Sequence, residues 1–351
     1  TVLNYYYYSL TQFILHSPHT IKIKYDSIDV LKFILSFLII QIHTEFYFIW
    51  MKPYVRLAVP IFFIISAFFF FRRNPGKEQL IGYIKRLSIL YLFWFIVWGL
   101  YFVYANRAIV FSSQGFVFIL RSLVFGSTFA ASWYIAASII GTIIVYVLSK
   151  LLNDRWLIFI TALIYITITL GTSYYHLFPD SFSKLEDAFY QITGTHLSIS
   201  FPVSLFWIAV GKSLINYNPT KISRLTLSIS ALASLILLQL EYRFVRNIWL
   251  TGDCYLMLIP SCLFLLMYVL SFTDYTCSHA KQLRSASTII YCSHYNILFI
   301  TLSILTLIEG KSPNLSSLVK FTIAAGISLI ITTIILSLEK IRGFKWLKYS
   351  H

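Results

Sequence analysis

The sequence predicts an all-α fold: a polytopic membrane protein with about ten transmembrane helices and both termini cytoplasmic. Three observations carry this. Of 351 residues, 58% are hydrophobic and only 12% charged, about half the charged share of an ordinary soluble domain. Apolar runs of the roughly 17–25 residues needed to cross a bilayer recur along the whole chain. Basic residues are also shared unequally between alternate connecting segments, as orientation in a membrane requires.

The runs fall near residues 28–50, 54–71, 86–104, 133–152, 156–173, 197–215, 225–240, 254–272, 287–308 and 317–338. A tight Lys52-Pro53 turn joins the first two. The stretch Gly115–Ala131, with Arg121 at its middle, reads as a re-entrant or interfacial segment rather than a full span. No polar or Pro/Gly-rich linker divides the chain and no internal repeat is visible. The expected organisation is therefore an N-terminal cytoplasmic segment (1–27), one transmembrane domain (28–338) and a basic cytoplasmic tail (339–351). The first residues, TVLNYYYYSLTQFILHS, lack the basic start, long apolar core and small-residue cleavage site of a signal peptide.

With an even number of spans, one set of connecting segments holds Lys22, Lys24, Arg72, Arg73, Lys77, Lys85, Arg86, Lys150, Arg155, Lys212, Lys221, Arg224, Lys281, Arg284 and the tail from Lys340 to Lys348. The opposite set holds about half as many basic residues, among them Lys52, Arg56, Arg107, Arg121, Lys184, Arg243 and Arg246. The richer side is cytoplasmic. The loop with Asp180, Glu186 and Asp187 then lies outside. Orientation and contact with anionic membrane lipids account for the net charge of +15, so no nucleic-acid partner is expected. The four cysteines, Cys254, Cys262, Cys277 and Cys292, include no C-x-x-C pair and imply neither a metal site nor a disulfide framework.

The first span carries Lys32, His43 and Glu45 in an otherwise apolar run. A Lys or Asp near the bilayer centre costs roughly 2.5–3.5 kcal/mol, so such residues mark functional positions with partners or water nearby. Eleven residues separate Lys32 from His43. That is nearly three helical turns, so both side chains share one face with an axial offset of roughly 16 Å. Asp29, three residues before Lys32, joins the stripe and can pair with it. Such a stripe faces a protein interior or a wet cavity. Glu45 points to a different face, where Arg56 or Lys52 is its expected partner.

These residues carry a resemblance. The D-x-x-K-x(10)-H spacing of Asp29, Lys32 and His43 resembles the first-helix signature of the integral-membrane acyltransferase-3 family, in which Arg or Lys precedes an essential His. Arg56-x-x-Val-Pro-Ile-Phe-Phe-Ile-Ile-Ser66-Ala67 resembles the family's second-helix motif, where Gly is usual in place of Ala67. Ser132-Trp133-Tyr134-Ile135 resembles its Trp-aromatic motif, and Ser287–His294 its late S-x-G-I-Y-x-x-H helix. The four pieces stand in family order and cover nearly the whole chain. The resemblance is to members without an appended extracellular hydrolase-like domain.

What it implies is a membrane O-acyltransferase using acyl-CoA, with acetyl-CoA first among donors and no metal. A neutral His43 can take the proton from an acceptor hydroxyl as that oxygen attacks the thioester; a covalent acyl-imidazole is the other route. Lys32 and Asp29 complete the candidate catalytic set, Lys32 either holding a phosphate-rich donor or snorkelling to the headgroups. Arg56, Ser66, Trp133 and His294 are candidate substrate-binding residues. Each also has a plainer reading: a surface anchor for Arg56, a helix-packing contact for Ser66, an interface anchor for Trp133 and a core histidine for His294.

Arg72, Arg73, Lys85 and Arg86 are candidate donor-binding residues. The family's usual R-x-x-R pair is not matched here, since Tyr83 stands three residues before Arg86, and Lys85 lacks the bidentate fork of Arg. The expected acceptor is a hydroxyl on a cell-envelope saccharide or a lipid-linked relative of one. A carrier or flippase lined by the charged stripe is the alternative, and a sensory or scaffold membrane domain a third.

Overall fold

A computed structural model describes residues 25–46, 51–126, 128–129, 132–178, 180–311 and 313–351. Residues 1–24 of the expected N-terminal segment and 47–50 of the first expected span lie outside this set. No strand occurs among the described residues; the chain is a succession of helices. We number them α1 (Asp26–Thr44), α2 (Lys52–Val55), α3 (Ala58–Phe71), α4 (Lys77–Ala105), α5 (Arg107–Val110), α6 (Gly115–Phe125) and α7 (Ser132–Leu151). There follow α8 (Asp154–Thr172), α9 (Asp180–Thr193), α10 (Phe201–Ser213), α11 (Arg224–Val245), α12 (Leu258–Leu270), α13 (Ala280–Glu309) and α14 (Ser317–Leu338).

Eight of the described helical segments are long and apolar enough to cross a membrane, counting Lys52–Phe71 as one. Each of the ten expected spans contains a helix. Those expected at 197–215 and 254–272 are shorter than a bilayer, with 13 residues each in α10 and α12. Proline sets both starts: Pro202 and Pro260 lie in the first turn, where a missing N–H costs nothing. The expected re-entrant stretch is also short, an 11-residue α6 closed by Gly126 at φ 72°.

Two boundaries differ from expectation in ways that move site residues. The first helix ends at Thr44, because Glu45 takes a left-handed φ of 53°. His43 therefore sits in the last turn of α1. At the other correction, α4 begins at Lys77, nine residues before the expected span start at 86. Gly76 is in an extended conformation and its N–H donates to Gln79 Oε1 at 3.0 Å, which closes the first turn. Lys85 and Arg86 are therefore helical residues two turns into α4, not loop residues.

The bundle is organised around two packings. Helix α10 is buried on nearly every side and touches α3, α7 and α8. Small residues allow this. A Cβ built on Gly211 would lie 2.4 Å from the Ile64 carbonyl oxygen and 2.7 Å from the Ala67 Cβ, so α3 and α10 approach nearly backbone to backbone, as small-residue interfaces in membranes do. An ion pair between Lys212 and Asp154 ties the end of α10 to the start of α8. In the second packing, α1 packs on α13 and α14, which also touch each other, and makes its broadest contact with α13.

The α3–α10 approach generates a stability test. Gly211→Val should destabilise the purified protein by about 1–3 kcal/mol, the usual cost of overpacking a tight contact. Gly326→Val is the control, because nothing lies within 4 Å of a Cβ there. Thermal melting in detergent should separate the two variants.

Candidate active site

Helices α1 and α13 run parallel, and each carries a cation near its start and a histidine further along. At the near end, Asp29 Oδ2 pairs with Arg284 Nη1 at 3.5 Å. Lys32 lies within electrostatic range of Asp29, Arg284 and Arg86. At the far end, the His43 and His294 rings stand 5.2 Å apart, tilted by 40°, and Tyr295 meets His43 edge-on at 4.7 Å. The described ion pair of Asp29 is thus with Arg284 rather than with Lys32. A carboxylate one turn from a Lys on the same helix is also open to a longer Arg reaching across from the neighbouring helix.

His43 opens onto a cavity of about 350 Å³. Its wall includes Arg56, Pro60, Trp133, Ser198, Asp253 and Tyr291. Most of the wall is apolar, with its charge concentrated in one pair: Arg56 Nη1 and Asp253 Oδ1 are 2.5 Å apart and both residues are 21% exposed. The Arg56 Nε is buried without a hydrogen-bond partner. Arg56 is therefore held by Asp253, not by Glu45 as expected, and Lys52 lies over the Trp249 ring at 5.0 Å. The one-turn α2 and the turn after it place Arg56 here.

Asp253 sits on a loop anchored from three sides. Ser198 Oγ meets Thr251 Oγ1 at 3.0 Å and donates to Asp253 at 3.4 Å. The Ser173 hydroxyl donates to the backbone carbonyls of Thr251 and Cys254. Glu241, in the last turns of α11, accepts from the Leu256 N–H at 2.6 Å, the Met257 N–H at 2.7 Å and the Tyr174 hydroxyl at 2.7 Å. Its charge faces the start of α12, where a carboxylate is favourable. Burial, and then this carboxylate, push the Tyr174 phenol above its ordinary range.

The other cavity wall segment, Ser198–Ile199, is fixed by fully buried Glu186, which accepts from the Leu197 N–H at 3.1 Å and lies 2.6 Å from His196 Nδ1. His196 is thus committed to Glu186, and the His176 backbone N–H to Ile248 O.

Between the two ends runs a line of polar and aromatic contacts. Arg86 lies within electrostatic range of Tyr83, and Tyr83 sits beside Ser66 and Thr142. Ser66 Oγ is 3.3 Å from the Tyr134 hydroxyl. The Tyr134 ring meets Tyr291 at 5.4 Å, edge to face. Ser66 therefore lies on this line and not in the cavity wall. Trp133, next to Tyr134, does reach the cavity, packed on Phe63 at 6.1 Å.

Of the sequence-derived candidates, the structure brings His43, Arg56, Trp133 and His294 together, and separately Asp29, Lys32 and Arg86. Lys85, Arg72 and Arg73 are exposed, and Arg72 stacks over the Tyr25 and Phe68 rings at 4.7 and 5.6 Å. Asp253, Arg284 and Glu241 were missed. Glu241 had a visible signal, a carboxylate adjoining an apolar run; Arg284 stands ten residues before His294, nearly repeating the Lys32–His43 spacing. Asp253, in a short polar loop, had none. Among the described residues no group of three or more His, Cys, Asp or Glu is placed to hold a metal ion.

The Glu241 anchor is testable without any assay of turnover. Glu241→Ala leaves two backbone N–H groups and a hydroxyl without their partner, so it should cost about 2–4 kcal/mol at the usual cost of charged hydrogen bonds. It should also expose the buried thiol of Cys254 to a maleimide that in the wild type reaches Cys277 alone.

The Acyl_transf_3 family, described as an acyltransferase domain, matches residues 25–337. Two curated relatives from Enterococcus faecalis, each named amino-acid racemase, are similar over part of their length. One is 31% identical over 163 residues, which is 43% of this chain and 22% of the relative. The other is 25% identical over 170 residues, 44% of this chain and 24% of the relative. The chain thus spans less than a quarter of the length of these relatives. No solved structure matches it. The family match covers both helices that carry the histidines, the Arg56 turn and the Trp133 helix, and the chain belongs to the acyltransferase-3 family of multi-pass membrane acyltransferases.

Proposed function

We propose that the protein transfers a short acyl group, acetyl first among them, from acyl-CoA to a hydroxyl of a cell-envelope saccharide or a lipid-linked relative, in the cell membrane. One observation carries the reading: a histidine facing a cavity stands one helix length from a cluster of cations. The Lys32–His43 offset is roughly 16 Å at 1.5 Å per residue. That span suits a donor whose anionic head and acyl group are held apart by an extended arm, as in acyl-CoA. The Lys32, Arg86 and Arg284 cluster would take the phosphates from the cytoplasmic side, and the line past Tyr83, Ser66 and Tyr134 would admit the arm.

The acceptor enters the His43 cavity from the opposite side. Its hydroxyl gives its proton to an unprotonated His43 nitrogen while the oxygen bonds to the thioester carbon. The C–S bond then breaks, and the departing thiolate takes the proton back from His43. Arg56, held by Asp253, supplies positive charge near the oxyanion formed in between.

A second reading concerns the acceptor alone. The Arg56–Asp253 pair presents one charge of each sign to the cavity, and the matched relatives carry an amino-acid racemase name. An acceptor that bears an amino-acid group would satisfy both observations. Offering hydroxylated amino acids and envelope saccharides side by side as acceptors decides between the two.

For the reaction itself, His43→Ala should remove transfer by about 10²–10⁴-fold and leave membrane insertion intact. His43→Gln, which cannot cycle a proton near neutral pH, should be nearly as inactive. The measurement is labelled acetyl moved from acetyl-CoA into envelope material, normalised to protein in the membrane. Wild-type transfer by His43→Gln would sink the acid–base route, and a wild type that moves a solute without consuming thioester would favour the carrier.

The donor end has its own test. Arg86→Ala combined with Arg284→Ala should raise the KM for acetyl-CoA about tenfold or more with kcat little changed. Arg284→Ala should also lower the melting temperature, because it leaves the buried Asp29 carboxylate without its ion-pair partner. Lys85→Ala should do less, since Lys85 is absent from the Lys32 cluster. An unchanged KM in the double variant would remove the phosphates from this cluster.

A further inference from the structure

His294 is 1% exposed, and its two ring nitrogens are in unequal positions. Nδ1 lies 3.0 Å from the backbone carbonyl oxygen of Ile290. A carbonyl oxygen only accepts, so Nδ1 carries the hydrogen. In the neutral ring Nε2 is then a lone pair. That Nε2 is buried and has no hydrogen-bond partner, an arrangement native interiors avoid unless the group has a task. The nearest ring is His43, 5.2 Å away between centroids. An imidazole nitrogen sits about 1.1 Å from its ring centre, so roughly 3 Å, a hydrogen-bond distance, is the closest approach that facing nitrogens have at this separation.

We propose that His294 is a positioning residue for acyl transfer: its Nε2 accepts a ring N–H from His43, fixing the His43 tautomer so that the other His43 nitrogen faces the cavity unprotonated. This rests on the acyltransferase reading above, and it assigns His294 a role through His43 rather than on substrate. The Ile290 carbonyl belongs to α13 itself, four residues back in the helix, so the His294 tautomer is set by local backbone geometry. His294 in turn sets His43 across the α1–α13 interface. The logic is that of a base oriented by a third group, with a neutral imidazole in place of a carboxylate. When His43 takes the acceptor proton, the resulting imidazolium keeps its N–H on His294 Nε2 and returns the new proton to the leaving thiolate, so the pair ends as it began.

Two polar substitutions separate positioning from packing. In His294→Asn the amide lies where Nδ1 was and cannot reach His43; in His294→Gln it extends to the Nε2 position, where its oxygen can accept. Nitrogen-15 NMR of histidine rings in nanodisc-embedded protein, with His43 assigned by its loss in His43→Gln, should show one His43 tautomer in the wild type. His294→Gln should keep that tautomer and His294→Asn should show a mixture. In membranes supplied with acetyl-CoA, His294→Asn should lower kcat by about 10²-fold or more with KM within twofold. His294→Gln should recover at least tenfold of that loss at matched melting temperature.

An unchanged His43 tautomer in His294→Asn, or equal turnover by the Asn and Gln variants, would overturn the inference. A wild type that transfers no acetyl would overturn the acyltransferase reading instead, and the tautomer measurement would still decide the role of His294.

Discussion

The structure depends on the parallel packing of α1 against α13. That one interface sets the register of both ends of the site. A slide of one turn, about 5.4 Å, would separate Asp29 from Arg284 and His43 from His294 together. Burying ionisable groups in a helix bundle is costly unless each has a partner, and here the partners of α1 are on α13. The Asp29–Arg284 pair at one end and the facing imidazoles at the other therefore align the two helices as well as furnish the chemistry.

Around this pair the remaining helices act mainly as walls and anchors. Helix α3 reaches the cavity through Pro60 and Phe63 and is pressed against α10 through Gly211. Arg56, just before α3, is placed by the α2 turn and its pair with Asp253. The loop that answers Arg56 with Asp253 is held by Glu241, Ser173 and Ser198. Carboxylates recur as anchors of backbone: Glu241 at the start of α12 and Glu186 at Leu197, beside the Ser198–Ile199 wall. Glu241 accepts two backbone N–H groups and Glu186 one, donors that lipid or apolar packing would leave unsatisfied.

The division of labour between the two ends follows from burial. Arg86 and Arg284 are exposed at the surface and suit a large, hydrated anionic ligand. The histidine end is more enclosed, with Tyr291, Tyr295 and Trp133 in the cavity wall beside His43, and electrostatic preorganisation is more effective where the local dielectric is lower. A line of tyrosines joins the two, offering hydroxyls along a path that is otherwise aromatic.

By itself the sequence determined the helical class, a helix within each expected span and the stripe of Asp29, Lys32 and His43, because hydropathy and the 3.6-residue period are local properties of the chain. The stretch with Asp180, Glu186 and Asp187, expected as a loop, is instead the helix α9, whose polar sequence carries no span signal. Four pieces that resemble the motifs of the acyltransferase-3 family, in family order, pointed to the membership that the match over residues 25–337 establishes. Tertiary structure decided the partners. Lys32 and Asp29 share a helix face, but it is Arg284, 255 positions along the chain from Asp29, that pairs with the carboxylate. Arg56 or Lys52 was the expected partner of Glu45, yet a left-handed turn at Glu45 ends α1 there, and Asp253 from a distant loop pairs with Arg56. The reason is physical: periodicity states which face a side chain is on, whereas an ion pair or a ring contact depends on which other helix is brought against that face, and that is fixed only when the whole bundle packs.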